Sequence, residues 1–305
     1  MSQLNWTEAQ WNRVNSAITE EFTKASVAGA FLPCYGPVGA SMEAVSKQQL
    51  TNDTNNPTII KVSDNETTPF WTIQTYVHLN SQQVADENLS TALFAFKRAA
   101  NRLARTEDFI VFMGYDTEKK SVPNLFRLTK QDLPEAQEDI RDFVANEKHA
   151  AEGLFNHKGV VAISIPKPSS MQGQPQLADN GARLVTTIAD AISTLEDNGY
   201  PGPFACVLGR NLFLDAQTPN QGSLVLPADR ITPMLGGPLL RSGNMAKNQG
   251  IVASSCGESL DIVVATPPKA QFLQVNEKAK YVFRVYERFV LRIKDPKAVV
   301  SIGPE

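Results

Sequence analysis

The sequence predicts an α+β fold, and three observations carry that prediction. Residues Tyr281 to Lys294 alternate in character. Tyr281, Phe283, Val285, Phe289, Leu291 and Ile293 fall on one side, interrupted only by Glu287; Val282, Arg284, Tyr286, Arg288, Val290, Arg292 and Lys294 fall on the other. Successive side chains point to opposite faces of a strand, so this stretch reads as one long β-strand with an apolar face and a cationic face. By contrast, Thr7 to Ala25 and Ser90 to Met113 place apolar residues at steps of three and four, the period of a helix with one buried stripe. Short apolar runs at 160–165, 204–208, 250–254 and 260–265 read as further strands.

Taken in order, the first helix carries Trp11, Val14, Ile18 and Phe22 on one stripe, with Thr7 placed to cap it and Glu8 at the positive end of its dipole. Gly29 and Pro33 end this region, and Gly36 to Gly39 forms a turn. Residues 43–72 contain two short strand-like runs around the turn-rich Ser63 to Glu66, which predicts an extended hairpin projecting from the body. Phe70 to Leu79 alternates again, with Trp71, Ile73, Val77 and Leu79 on one face. The second helix begins near Ser90, the expected cap, and at about 24 residues would span roughly 36 Å. Leu93, Phe96, Ala100, Leu103, Ile110 and Met113 trace its stripe, and Gly114 ends it. Residues 116–151 are acidic, and a helix is expected from Pro134 toward His149. A loop with Pro166, Pro168, Gly173 and Pro175 leads to another amphipathic helix over 180–198. A helical turn is expected over 211–217, and Thr218 to Ser223 has the composition of an exposed loop. Asp295-Pro296 stops the long strand, and Ala298 to Ile302 closes the chain.

Composition excludes several classes. The chain has 305 residues and a formal net charge of -3, which gives no overall electrostatic reason to hold nucleic acid. The N-terminus lacks the pattern of a secretory signal, no apolar run approaches the length of a membrane span, and three scattered cysteines suggest reduced thiols, so a cytoplasmic location is expected. Phosphate-cradling glycine motifs, HExxH, GxSxG and close Cys/His spacing are all missing. No cofactor and no metal site are expected. Cys256, in Ser254-Ser255-Cys256-Gly257, is the one imaginable nucleophile, and no base accompanies it.

Several segments, in order, resemble the encapsulin shell proteins, the linocin-like bacteriocin family. Tyr35-Gly36-Pro37-Val38-Gly39 is similar to the turn after that family's first helix. Glu107-Asp108-Phe109-Ile110-Val111-Phe112-Met113-Gly114 resembles the end of its spine helix, and Glu152-Gly153-Leu154 resembles the motif that follows. Gly202-Pro203-Phe204 resembles the start of an axial-domain strand, and Leu291 to Ala298 resembles the closing strand and its Pro-containing turn.

The resemblance implies a tailed-phage major capsid-like fold. Its parts would be an N-terminal helix and arm at 1–42, an extended loop at 43–72, and a peripheral domain at 73–155 and 266–305. That domain would carry an insertion near 116–151, and an axial domain would occupy 156–265. The resemblance also implies self-assembly into a closed icosahedral nanocompartment. A cargo enzyme, such as a peroxidase or a ferritin-like protein, would be held inside by its C-terminal targeting peptide. The apolar stripe Val14, Ile18 and Phe22 is the candidate cargo-peptide surface, and Thr218, Pro219, Asn220, Gln221, Gly222 and Ser223 the candidate fivefold pore loop. Gly29-Ala30 and Pro33 stand where the family carries a basic pair and an aspartate. Two other readings remain: a phage-type capsid subunit packaging nucleic acid, prompted by Arg284, Arg288, Arg292 and Lys294, and a thiol hydrolase using Cys256.

Overall fold

A computed structural model describes residues 4–52, 56, 58–115, 144, 150–166, 180–219, 224–256 and 258–304. Helix α1 covers Glu8–Ala25. Thr7 accepts the Gln10 backbone N–H while the Gln10 side chain accepts from Thr7, the reciprocal capping box that stops the first turn from fraying. The long helix α3, Ser90–Met113, follows a short helix α2, Ser81–Ala85. Ser90 is its first helical residue rather than its cap. Leu89 stands at the cap in a left-handed conformation, and the Asp86 carboxylate takes the Ser90 N–H at 2.9 Å. A side chain four residues upstream therefore satisfies an orphan donor of the helix end.

Two sheets organise the rest. The first has four strands in the order β1 (Cys34–Tyr35), β11 (Leu260–Val275), β12 (Tyr281–Ile293) and β6 (Trp71–Leu79). The long strand of the sequence is thus the inner strand β12, antiparallel to both neighbours. Its partner β11 runs ten residues past the expected 260–265. Pro267-Pro268 lies inside it, and the pairing slips between Thr266 and Lys269, a bulge that absorbs the missing ladder donors. Helices α1 and α3 pack together against this sheet. Trp6 stacks on Phe283 with ring centroids 5.0 Å apart, and Phe96 meets Phe283 edge-on at 5.3 Å, so strand, helix and N-terminal arm share one aromatic nucleus.

The second sheet has five strands in the order β7 (Val161–Ile165), β13 (Val299–Pro304), β10 (Gly250–Ser254), β8 (Phe204–Leu208) and β9 (Leu239–Arg241). Helices α4 (Asn180–Asp197), α5 (Arg210–Gln217) and α6 (Pro227–Leu235) pack with it around a second apolar cluster. Helix α6 was not anticipated. The segment 266–305, expected to lie together, divides between the sheets: β12 is in the first and β13 in the second. Asp295-Pro296 makes the turn between them, and Tyr200 donates to Asp295 at 2.5 Å across the junction.

Tyr115 and Ala151 exchange backbone hydrogen bonds of 2.8 and 2.7 Å. A Cβ on Gly153 would lie 2.2 Å from the Gly114 nitrogen, so only glycine allows the two strands of chain to pass this closely. Of the helix expected from Pro134 toward His149 only Val144 is described, and there the chain is not helical: Val144 is buried in the first core and bridges antiparallel to Ile73 of β6. The other residues of that span and the Pro/Gly loop after Pro166 lie outside the described residues.

Candidate assembly surface and the internal polar centres

Residues 44–69 form the projecting hairpin. Strand β2 (Ala44–Ser46) pairs with β5 (Thr67–Pro69), and β3 (Gln49–Asn52) with β4 (Ile60–Ser63). Lys47 bridges to Glu66 at 2.7 Å across the hairpin. None of the described residues from 43 to 69 is buried. Leu50 and Val62 are directly opposed, and with Ile60 they remain 41%, 58% and 68% exposed. A two-stranded ribbon with an uncovered apolar row is marginal on its own and is matched to another surface.

The other candidate residues are placed differently. Val14, Ile18 and Phe22 are all buried in the main core, facing α3 and the sheet. The stripe therefore packs inward, and its apolar face is already covered by the chain itself. Such a stripe looks the same in sequence whether its cover is the chain's own core or a partner. Thr218 and Pro219 follow α5 on the surface, whereas Asn220, Gln221, Gly222 and Ser223 lie outside the described residues. On either side of that loop, Leu214, Leu224 and Val225 are exposed.

The cationic face of β12 is engaged within the chain. Arg284 donates to Gln271 at 2.8 Å and lies over the Tyr286 ring at 4.2 Å. Arg288 donates to the carbonyls of Ala40 and Met42, holding the arm that leads into the hairpin. Arg292 makes a two-pronged bond to Asp261, at 2.8 and 2.6 Å, and Lys294 joins the same carboxylate at 2.9 Å. Bidentate pairing in a buried setting needs both partners to offset the cost of desolvation. These four cations are thus not presented as a row for phosphates.

Nothing at Cys256 resembles an activated nucleophile. Its N–H donates to the Ser254 hydroxyl within the local turn, and its thiol donates at 3.3 Å to the carbonyl of Gly202, 54 residues away in sequence. Burial pushes the Cys206 thiol far up, so it stays protonated, and burial followed by the charges of Glu107 and Asp261 raises that of Cys34. Among the described residues, no group of three or more His, Cys, Asp or Glu side chains is arranged to hold a metal ion. A cleft of about 290 Å³ opens between the hairpin base and the chain after residue 150, where His157 and Glu152 already pair at 3.3 Å.

Sequence reasoning noted Glu107-Asp108 as adjacent helix residues and Glu287 as an interruption in an apolar face. The structure brings all three together. Asp108 accepts the N–H groups of Val27 and Ala28 at 3.0 and 2.8 Å, which ties the turn after α1 to the spine helix. Glu287 breaking a perfect apolar alternation was the signal in the sequence, because a lone charge on a buried face requires a polar partner inside.

Comparison with known proteins agrees with this architecture. The family described as encapsulating protein for peroxidase matches residues 2–154 and 137–290. The type 1 encapsulin shell protein EncA of Myxococcus xanthus (strain DK1622) is 23% identical over 295 residues, covering 97% of this chain and 92% of that protein. Among solved structures, the virus-like particle from Pyrococcus furiosus superposes with a TM-score of 0.66 at 15% identity, covering 97% of this chain and 100% of the other. The capsid of Myoviridae phage XM1 gives 0.57 at 14% identity, with 92% of each chain covered. The fold is the α+β fold shared by tailed-phage capsid proteins and encapsulin shells.

Proposed function

The chain belongs to the family of encapsulating proteins for peroxidase, and from that premise we propose that it is a structural shell protomer. Copies assemble into a closed icosahedral compartment that encloses a cargo enzyme, a peroxidase or ferritin-like protein, taken up through its C-terminal targeting peptide. The observation that carries the assembly step is the hairpin 44–69. It exposes Leu50, Ile60 and Val62 and has no core of its own, so a neighbouring subunit is its natural cover.

In this reading α1, α3 and the four-stranded sheet form the peripheral part, and the five-stranded sheet with α4 to α6 forms the axial part. In the same reading the fivefold opening lies beside the exposed Thr218 and Pro219, near exposed Leu214 and Leu224. Val14, Ile18 and Phe22, the candidate cargo-peptide stripe, are covered by the core in the single chain. The protomer itself carries out no catalysis.

Size-exclusion chromatography followed by negative-stain electron microscopy of the purified protein tests the proposal. Uniform hollow particles in the megadalton range are expected. A monomer or small oligomer across a range of salt and pH overturns it. Co-expression with a candidate cargo bearing or lacking its C-terminal peptide tests the loading step, and equal enclosure of both forms refutes peptide-directed capture.

A further inference from the structure

Three carboxyl groups are buried together where four parts of the chain meet. Glu107 and Asp108 come from the last third of α3 and Glu287 from the middle of β12, and they are 2%, 0% and 1% exposed. Asp108 has the surroundings of an anion. It accepts from the backbone N–H of Val27 and Ala28, from the Ser26 hydroxyl at 3.5 Å and from Asn244 Nδ2 at 3.4 Å. Glu107 and Glu287 instead hydrogen-bond to each other, side chain to side chain. Two ionised carboxylates offer only acceptors, so a hydrogen bond between them requires a proton on one. Glu287 Oε2 is buried with no partner of its own.

The groups acting most strongly on the trio are one another, Ser26, Asn244, and Cys34 of β1, and none of these is a cation. Asp261 of β11 acts on Cys34, and Asp261 is in turn paired with Arg292 and Lys294. Among the groups acting most strongly on the trio, a retained proton and not a lysine or arginine limits the charge at the junction.

We propose that the proton shared by Glu107 and Glu287 is a latch joining the spine helix to the inner strand of the first sheet, and that its loss as pH rises loosens this junction together with the turn carrying α1. Ionising both glutamates would place two like charges in contact beside Asp108, in a site buried from bulk solvent. The turn at 26–30 is held by Asp108 on the same helical turn as Glu107, so separation of α3 from β12 disturbs both attachments. The latch belongs to the fold of the single chain and does not depend on assembly.

The sign of the effect follows from where the protons are held. Burial first, then the neighbouring Asp108, pushes Glu107 up to about 8, and burial pushes Asp108 up to about 7 against its hydrogen-bond donors. Glu287 is raised well above the ordinary range by burial and then by Glu107. The folded chain thus binds these protons more tightly than the unfolded chain, and stability falls as pH rises. For Glu107 the contribution is complete below its ordinary value of 4.5 and is lost as pH rises through about 8.

Thermal unfolding measured between about pH 5 and about pH 9 tests the latch. The expected result is a Tm that falls with pH in the native sequence and a slope reduced at least twofold in the Glu107→Gln/Glu287→Gln double variant, whose amides can bond without a titrating proton. An unchanged slope in that variant overturns the proposal. Infrared difference spectroscopy on the unaltered protein decides the matter if the double variant does not fold. Above about pH 6 ordinary carboxyls are ionised, so a protonated-carboxyl band persisting at neutral pH and vanishing by about pH 9 is expected. A neutral-pH spectrum lacking that band refutes the shared proton.

Discussion

The two hydrophobic cores of this chain treat charge in opposite ways. The core around α3 and β12 encloses Glu107, Asp108, Asp261, Glu287 and Arg292. The core around α4 and β8 encloses, among the described residues, no side chain that is charged at neutral pH. Strand β8 is buried along its whole length, and its cysteine is kept protonated by that burial. In the first core, polar contacts tie together segments far apart in the chain: Asp108 reaches Val27 and Asn244, and Asp261 reaches Arg292. The apolar core is therefore vulnerable to lost volume, whereas the charged core is also vulnerable to a lost partner or a lost proton.

Breaking one partner in the charged core should have the largest effect. Asp261→Ala leaves the Arg292 guanidinium buried and unpaired, and about 3–5 kcal/mol of stability should be lost in denaturant unfolding. In the apolar core, Leu195→Ala should cost about 2–5 kcal/mol by transfer and cavity formation. Leu195 carries no titrating group, so this loss should be the same at pH 5 and pH 8 within error, in contrast to the pH-dependent behaviour of the carboxyl trio. A pH-dependent Leu195→Ala penalty would show that the two cores do not respond separately.

Smaller effects sharpen the contrast at the periphery. Thr7→Ala removes one member of the α1 capping box and should cost about 1 kcal/mol, read as a lowered denaturant midpoint with an unchanged m-value. The hairpin pair Ile60→Ser with Val62→Ser should change protomer stability by no more than about 0.5 kcal/mol, because these side chains are exposed in the single chain. The same variant should nevertheless fail to form large particles by size-exclusion chromatography. Normal assembly would remove the hairpin as the contact that joins subunits.

Much of the secondary structure was legible because its cause is local. The alternation of 281–294 and the observed strand Tyr281–Ile293 differ by one residue, and the stripe of α3 begins and ends where its pattern does. Thr7 caps α1 as its side chain predicts. Less legible was the continuation of β11 through Pro267-Pro268, since a proline pair reads as a stop unless a bulge is known to absorb it. Helix α6, with Pro233 inside it, was missed for the same reason.

The sequence by itself determined which stretches alternate or spiral, which of their faces is apolar, and, through an ordered set of short resemblances, the family. These depend on steric and solvation preferences spanning a few residues. Only the tertiary structure decided what covers each face. Val14, Ile18 and Phe22 meet the chain's own spine helix, the arginines of β12 bind Gln271, two carbonyls and Asp261, and Glu287 meets Glu107 about 180 residues away in sequence. Such pairings are set by long-range packing and by the need to satisfy every buried polar group, and no local pattern encodes them.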